Sequence, residues 1–162
     1  MNKKLLPYAY GCMFLILFFL ERTSKGYALY YLHDQPPRLI INGIALLFSW
    51  NRGITWGFCQ TITSLGSFIL TAIIIAILLA FLSFTIQEYR QNKSIIPHLC
   101  VLVGGISNLV DRIAFGAVID FILCYYKSWY WPVFNIADML IVCGMFFIIG
   151  RIWYEHTRKS SC

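Results

Sequence analysis

The sequence predicts an all-α integral membrane protein with four transmembrane helices, and three observations carry that reading. Hydrophobic residues make up 59% of the 162-residue chain and charged residues only 12%, whereas a soluble domain is nearer half apolar and a quarter charged. A soluble fold of this length could not cover so much apolar surface, so lipid must be the solvent for much of it. Four long apolar runs divide the chain. The thirteen Lys and Arg residues fall in small groups between those runs.

The first run, Leu5–Leu20, follows Lys3 and Lys4, as a secretory leader would. No A-x-A-like cleavage site follows it, and the next residues are Glu21-Arg22-Thr23-Ser24-Lys25, so it reads as a retained helix. The segment Gly26–Thr61 carries Pro36-Pro37, the short apolar run Leu39–Ile41, then Asn42-Gly43, then Leu46–Trp50. Asn-Gly between two apolar runs is a hairpin signal, so short β or interfacial structure is expected here. The second run, Ile62–Phe84, is 23 residues without a charge. At ~1.5 Å per residue it crosses a ~30 Å hydrocarbon core with some tilt. The third run, Ile95–Ile113, is more polar and carries Asn108, Asp111 and Arg112. The connecting segment Ala114–Phe134 is rich in Tyr and Trp, including Tyr125, Tyr126 and Trp129-Tyr130-Trp131, which suits anchoring at headgroup level. The fourth run is Asn135–Trp153. The whole chain, 1–162, is expected to be one membrane-embedded domain.

Charge orients these spans. Lys3, Lys4, Arg90, Lys93, Arg151, Arg158 and Lys159 fall on one side. Arg22, Lys25, Arg38, Arg52, Arg112 and Lys127 fall on the other. The first group lies wholly in short segments, while several of the second belong to polar constellations where chemistry could explain them. Both termini are therefore expected in the cytoplasm. The net charge of +6 is spread between apolar runs, without the dense basic stripe that nucleic-acid binding wants. The six cysteines form no C-x-x-C pair and have no zinc-type spacing with His33, His98 or His156, so neither a metal site nor a structural disulfide is expected.

The informative polar groups gather on the side opposite the termini. Glu21 and Lys25 end the first span, and Asn51-Arg52-Gly53 precede the second. Asn108, Asp111 and Arg112 end the third; Asp120 follows in the connecting loop; Asn135 and Asp138 begin the fourth. Ionisable residues at membrane depth are costly and are functional candidates by default. Asn108 and Arg112 share a helix face, as do Asn135 and Asp138. If both faces turn inward, Asp120 and Asp138 can meet and share a proton. One carboxylate could then take a proton from water while the other donates to a scissile carbonyl, the chemistry of an aspartic protease. On spacing alone plainer readings stand beside this one. Asp138 could be a helix cap, Asp120 could face solvent, and Asp111 could pair locally with Arg112. A polytopic transporter or binding protein using intramembrane carboxylates is the rival class. The missing internal repeat and the gathering of carboxylates at one face weigh against it.

Motifs extend the reading. Asn108-Leu109-Val110-Asp111-Arg112 with Gly116-Ala117-Val118-Ile119-Asp120-Phe121 resembles the N-x-x-D-R…G-x-V-x-D-F block of the lipoprotein signal peptidase (signal peptidase II) family. Phe134-Asn135-Ile136-Ala137-Asp138 is similar to that family's F-N-x-A-D block. Asn51-Arg52-Gly53-Ile54-Thr55-Trp56-Gly57 resembles its N-x-G-x-A-[FW]-G block, and Glu21–Lys25 its D-x-x-x-K segment. The blocks run in family order across nearly the whole chain. The resemblance implies four transmembrane helices with a small outward-facing β platform and two catalytic aspartates, Asp120 and Asp138. Asn51, Asn108, Arg112 and Asn135 match positions that line the site and hold substrate, with Gly53 and Lys25 supporting it. It further implies a bacterial cytoplasmic (inner) membrane location with the active site at the outer face. The implied substrate is a diacylglyceryl-modified prolipoprotein cut before its lipidated cysteine, with membrane lipids as the other partner and no metal or organic cofactor. Three positions depart from the pattern: Glu21 for Asp, Thr55 for Ala, and Ser107 where Gly is commoner.

Overall fold

Residues 5–53 and 64–160 are described in the structure, a computed structural model. Ile54, Thr55, Trp56 and Gly57 of the third motif, and Ile62 and Thr63 of the second run, lie outside the described residues.

Helix α1 spans Leu6–Tyr31, with Pro7 in its first turn, where a missing N–H costs nothing. It does not end near Leu20 as the apolar run suggested. Its second half stays helical because Glu21 and Lys25 turn inward and are buried, while Ala28 and Leu32 pack on Ile119 and Phe121. Strands β1 (Arg38–Ile41) and β2 (Ile44–Asn51) form the hairpin expected at Asn42-Gly43. Gly43 sits at φ 93°, a backbone state that glycine adopts without strain.

Helix α2 spans Ser64–Arg90 and α3 spans Ile96–Phe115. Helix α3 stops at Gly116, which takes a left-handed φ of 68° and donates its N–H to Arg112 O. That stop turns the chain at once into β3 (Val118–Tyr126), which pairs antiparallel with β2 and places Asp120 opposite Ser49. Asp120 therefore lies on a strand and not in a loop. The short β4 (Trp129–Tyr130) completes an antiparallel sheet in the order β1-β2-β3-β4. Helix α4 spans Ile136–Ser160.

Among the described residues, three helical segments are long and apolar enough to cross a membrane: Leu65–Arg90, Ile96–Phe115 and Ile136–Arg158. Among the described residues helices α3 and α4 make the most extensive contact, whereas α2 packs chiefly on α3. The α3–α4 approach is close because of glycines. A Cβ on Gly104 would stand 2.3 Å from Ala137 O, and one on Gly144 would stand 2.5 Å from Pro97 O. The Gly104–Ala137 contact draws α3 against the start of α4, near the polar residues, and the Gly144–Pro97 contact closes the crossing toward the other end of α3.

Candidate active site

Four elements deliver the polar residues to one place. Asn51 closes β2, Asp120 lies on β3, Asn108 and Arg112 lie near the end of α3, and Asn135 and Asp138 open α4. Strand alternation explains how Asp120 gets there. Its neighbours Ile119 and Phe121 face the apolar cluster under the sheet, so Asp120 turns to the other face.

The start of α4 is a reciprocal cap. Asp138 N donates to Asn135 Oδ1 at 2.9 Å, and Asn135 N donates to Asp138 Oδ2 at 3.1 Å. The capping role that spacing suggested for Asp138 is thus real, and it coexists with a second contact. Asn108 Nδ2 donates to the other oxygen, Asp138 Oδ1, at 2.8 Å. Because the Asn135 oxygen is used by the cap, its amide nitrogen is free to point away, and it donates to Asp120 Oδ1 at 2.6 Å. Asn51 Nδ2 donates to Asp120 Oδ2 at 3.0 Å. The two aspartates hang on one network of three asparagine amides.

Asp120, Asp138, Asn51 and Asn108 line one cavity of about 580 Å³, whose remaining wall includes Trp131, Phe134, Met139 and Val142. Asp120 is 2% exposed. Burial pushes its carboxyl up to about 7, and the neighbouring Asp138 charge pushes the same way; Asn51, Asn135 and Lys25 pull against them. Asp120 thus holds a proton near neutral pH in a pocket otherwise dominated by apolar and amide groups.

Arg112 does not pair with Asp111. Its Nη2 donates to Gly53 O at 2.8 Å, tying α3 to the chain that leaves β2. Asp111 turns instead to α1, where Arg22 and Lys25 both pair with it. The motifs left Arg22 out. Its position beside Glu21 in a membrane helix is the signal that could have found it, since an unpaired charge there is expensive. The departures at 21 and 107 meet: Ser107 Oγ donates to Glu21 Oε2, and Arg22 Nη1 also reaches Ser107 Oγ at 3.3 Å. Lys25 is buried in this cluster and reaches the site through Asn108 Oδ1 at 2.6 Å. Among the described residues no group of three or more His, Cys, Asp or Glu side chains is arranged to hold a metal ion.

Apolar helices bearing a small sheet, with two carboxylates netted by amides at the junction, define a multi-pass membrane protein with a paired-carboxylate site. Two solved bacterial membrane enzymes share the fold, each with a TM-score of 0.74. One, determined in meso at 2.3 Å, is 22% identical and aligns over 93% of this chain and 91% of its own. The other, determined at 1.9 Å, is 23% identical over 89% and 92%. The family model described as signal peptidase (SPase) II matches residues 13–154, and the chain belongs to that family. A lipoprotein signal peptidase of Anaplasma marginale (strain Florida) is 34% identical over 141 residues, covering 86% of this chain and 82% of the relative. One from Methylobacterium sp. (strain 4-46) is 36% identical over 140 residues, covering 83% and 82%. One from Sulfurihydrogenibium sp. (strain YO3AOP1) is 32% identical over 165 residues, covering 99% of both.

Proposed function

We propose that this peptidase removes the signal peptide from diacylglyceryl-modified prolipoproteins, cutting before the lipidated cysteine, with Asp120 and Asp138 as an aspartic pair. The observation that carries the reading is the shared asparagine network, which puts both carboxylates on one cavity. Asp120 brings a proton to neutral pH, so the pair can be singly protonated. The ionised carboxylate takes a proton from water, whose oxygen attacks the scissile carbonyl carbon. The protonated carboxyl gives its proton to the carbonyl oxygen. The tetrahedral adduct then collapses: the C–N bond breaks, the amine departs with the proton first taken from water, and a hydroxyl of the adduct returns a proton to the carboxylate that had given one, which restores the singly protonated pair.

On this reading the full chain, 1–162, is one membrane-embedded domain of the bacterial cytoplasmic (inner) membrane, and α1 is a fourth crossing. Both termini are cytoplasmic and the sheet lies at the outer face. The apolar half of α1 and the basic groups at the far ends of the helices support that placement. Lipid anchoring keeps substrate in the enzyme's own plane, since moving acyl chains into water costs ~0.8 kcal/mol per CH₂. Asn51, Gly53, Asn108, Arg112, Asn135 and Lys25 shape or support the site. No cofactor and no nucleic acid take part.

The test is release of signal peptide from a lipidated prolipoprotein by purified protein. Asp120→Asn and Asp138→Asn should each abolish it with insertion and expression intact, and the double variant should be no worse than either. Unlipidated precursor should be cut little or not at all. Substantial turnover by either single variant, with host enzyme absent, would overturn the pair.

A further inference from the structure

We infer that Lys25 is a positioning residue for the paired aspartates, fixing which face of the Asn108 side-chain amide is turned toward Asp138. The inference rests on the aspartic reading above and concerns a residue that touches neither carboxylate of the pair. Lys25 is fully buried. Its ammonium stands 2.8 Å from Asp111 Oδ2, 3.1 Å from Glu21 Oε1 and 2.6 Å from Asn108 Oδ1. An ammonium carries three donors and no acceptor, so only the oxygen of the Asn108 amide can face it. The amide nitrogen is thereby sent to the other side, where it meets Asp138 Oδ1 at 2.8 Å. Asn135 Nδ2 adds a weaker contact to the same Asn108 oxygen at 3.2 Å.

Without the ammonium that orientation loses its main determinant. A half-turn of the amide would set oxygen against the Asp138 carboxylate in a buried site, and acceptor against acceptor is costly there. The cluster also reaches the other aspartate. Asp111 Oδ2 accepts the backbone N–H of Ile119 at 3.2 Å, one residue before Asp120. Glu21 and Asp111 are balanced by Lys25 and Arg22, so Lys25 is buried as one member of a paired cluster. The Glu21–Lys25 pair at the outer part of α1 thus has an address beyond helix stability.

The experiment is a double-mutant cycle read in kcat and KM. Wild type, Lys25→Met, Asn108→Ala and the double variant are compared on a diacylglyceryl-modified prolipoprotein, with thermal melting in detergent run alongside. Supporting groups of this kind typically cost about 10- to 100-fold when removed. Lys25→Met should lower kcat within that range with KM changed by no more than about twofold, and Asn108→Ala should do the same. The double variant should be no slower than the slower single, because both remove one interaction. Losses that multiply would overturn the inference and leave Lys25 a role in folding alone. If Lys25→Met fails to fold, Asn108→Asp keeps the Lys25 partner and puts an oxygen against Asp138, as the turned amide would. It should fold and lose kcat to a similar degree; near-normal kcat would overturn the inference. The outcome is separable from the underlying reading, whose own test is the loss of turnover in Asp120→Asn and Asp138→Asn.

Discussion

Asn135 shows how much one side chain carries. Its oxygen caps α4 and its nitrogen holds Asp120. The i, i+3 spacing with Asp138 was legible in the sequence, and so was the shared face. The bond to Asp120 was not, because it crosses from helix to strand. The buried carboxyl of Asp120 has a direct consequence for pH. Its protonated form is favoured below about 7 and lost above it, and on the aspartic reading proposed above the singly protonated pair is the competent form. The alkaline limb of kcat/KM should therefore fall through about pH 7 as a property of the pair. A profile flat to pH 9 would contradict it. Residues 21 and 107 offer a second check. Both depart from the family pattern, and they touch. The longer Glu reaches a hydroxyl that Gly could not supply. Ser107→Gly should destabilise by ~1–3 kcal/mol, from an under-bonded carboxylate and a glycine in a helix. Adding Glu21→Asp should recover part of the loss in detergent melting. Strictly additive losses would make the two positions independent.

Between elements, the α3–α4 crossing sets the geometry of the site. Gly104 lies one turn before Asn108 and against Ala137, the residue before Asp138. Gly104→Ala must push α4 away at that point, at a cost of about 1–3 kcal/mol. It should also cut kcat at least about tenfold by separating Asn108 from Asp138. Gly144→Ala overpacks the crossing near Pro97, toward the other end of α3, and should cost similar stability with a smaller loss of kcat. Equal kcat losses would mean that the two glycines serve packing alone. Helices α2, α3 and α4 fall on the second, third and fourth apolar runs, since apolar length is a strong signal, but α2 and α4 continue past Phe84 and Trp153 to Arg90 and Ser160. The sequence mistook the end of α1, where charges face a partner and not water. It also read Asp120 as a loop residue. Val118–Leu123 is almost wholly apolar, and its strand character depends on pairing with β2, far away in sequence. Local pattern cannot supply such a partner.

Among the described residues, two polar clusters stand at opposite ends of the helices. One is the site. The other joins Glu88, Lys93, Arg151 and Glu155, and ties the end of α2 to α4. The sequence leads one to expect seven basic residues on one side, and of these the structure brings Lys93 and Arg151 into this cluster, with Arg90 at the adjoining end of α2. Cysteines placed in the Arg90–Lys93 segment should react only from the cytoplasmic side, and those in Trp129–Trp131 only from outside. The reverse pattern would put the sheet on the wrong face and remove the proposed access to exported substrate.

The two aspartates come from different elements, and Asp138 belongs to α4, the last of the described helices. On the ribosome, a chain that has emerged only through the sheet holds Asp120 without its partner or its Asn135 bridge. Cleaving power would then arise late in biogenesis, when α4 docks on α3. On the aspartic reading, the order of synthesis keeps the unfinished protease silent until α4 is in place.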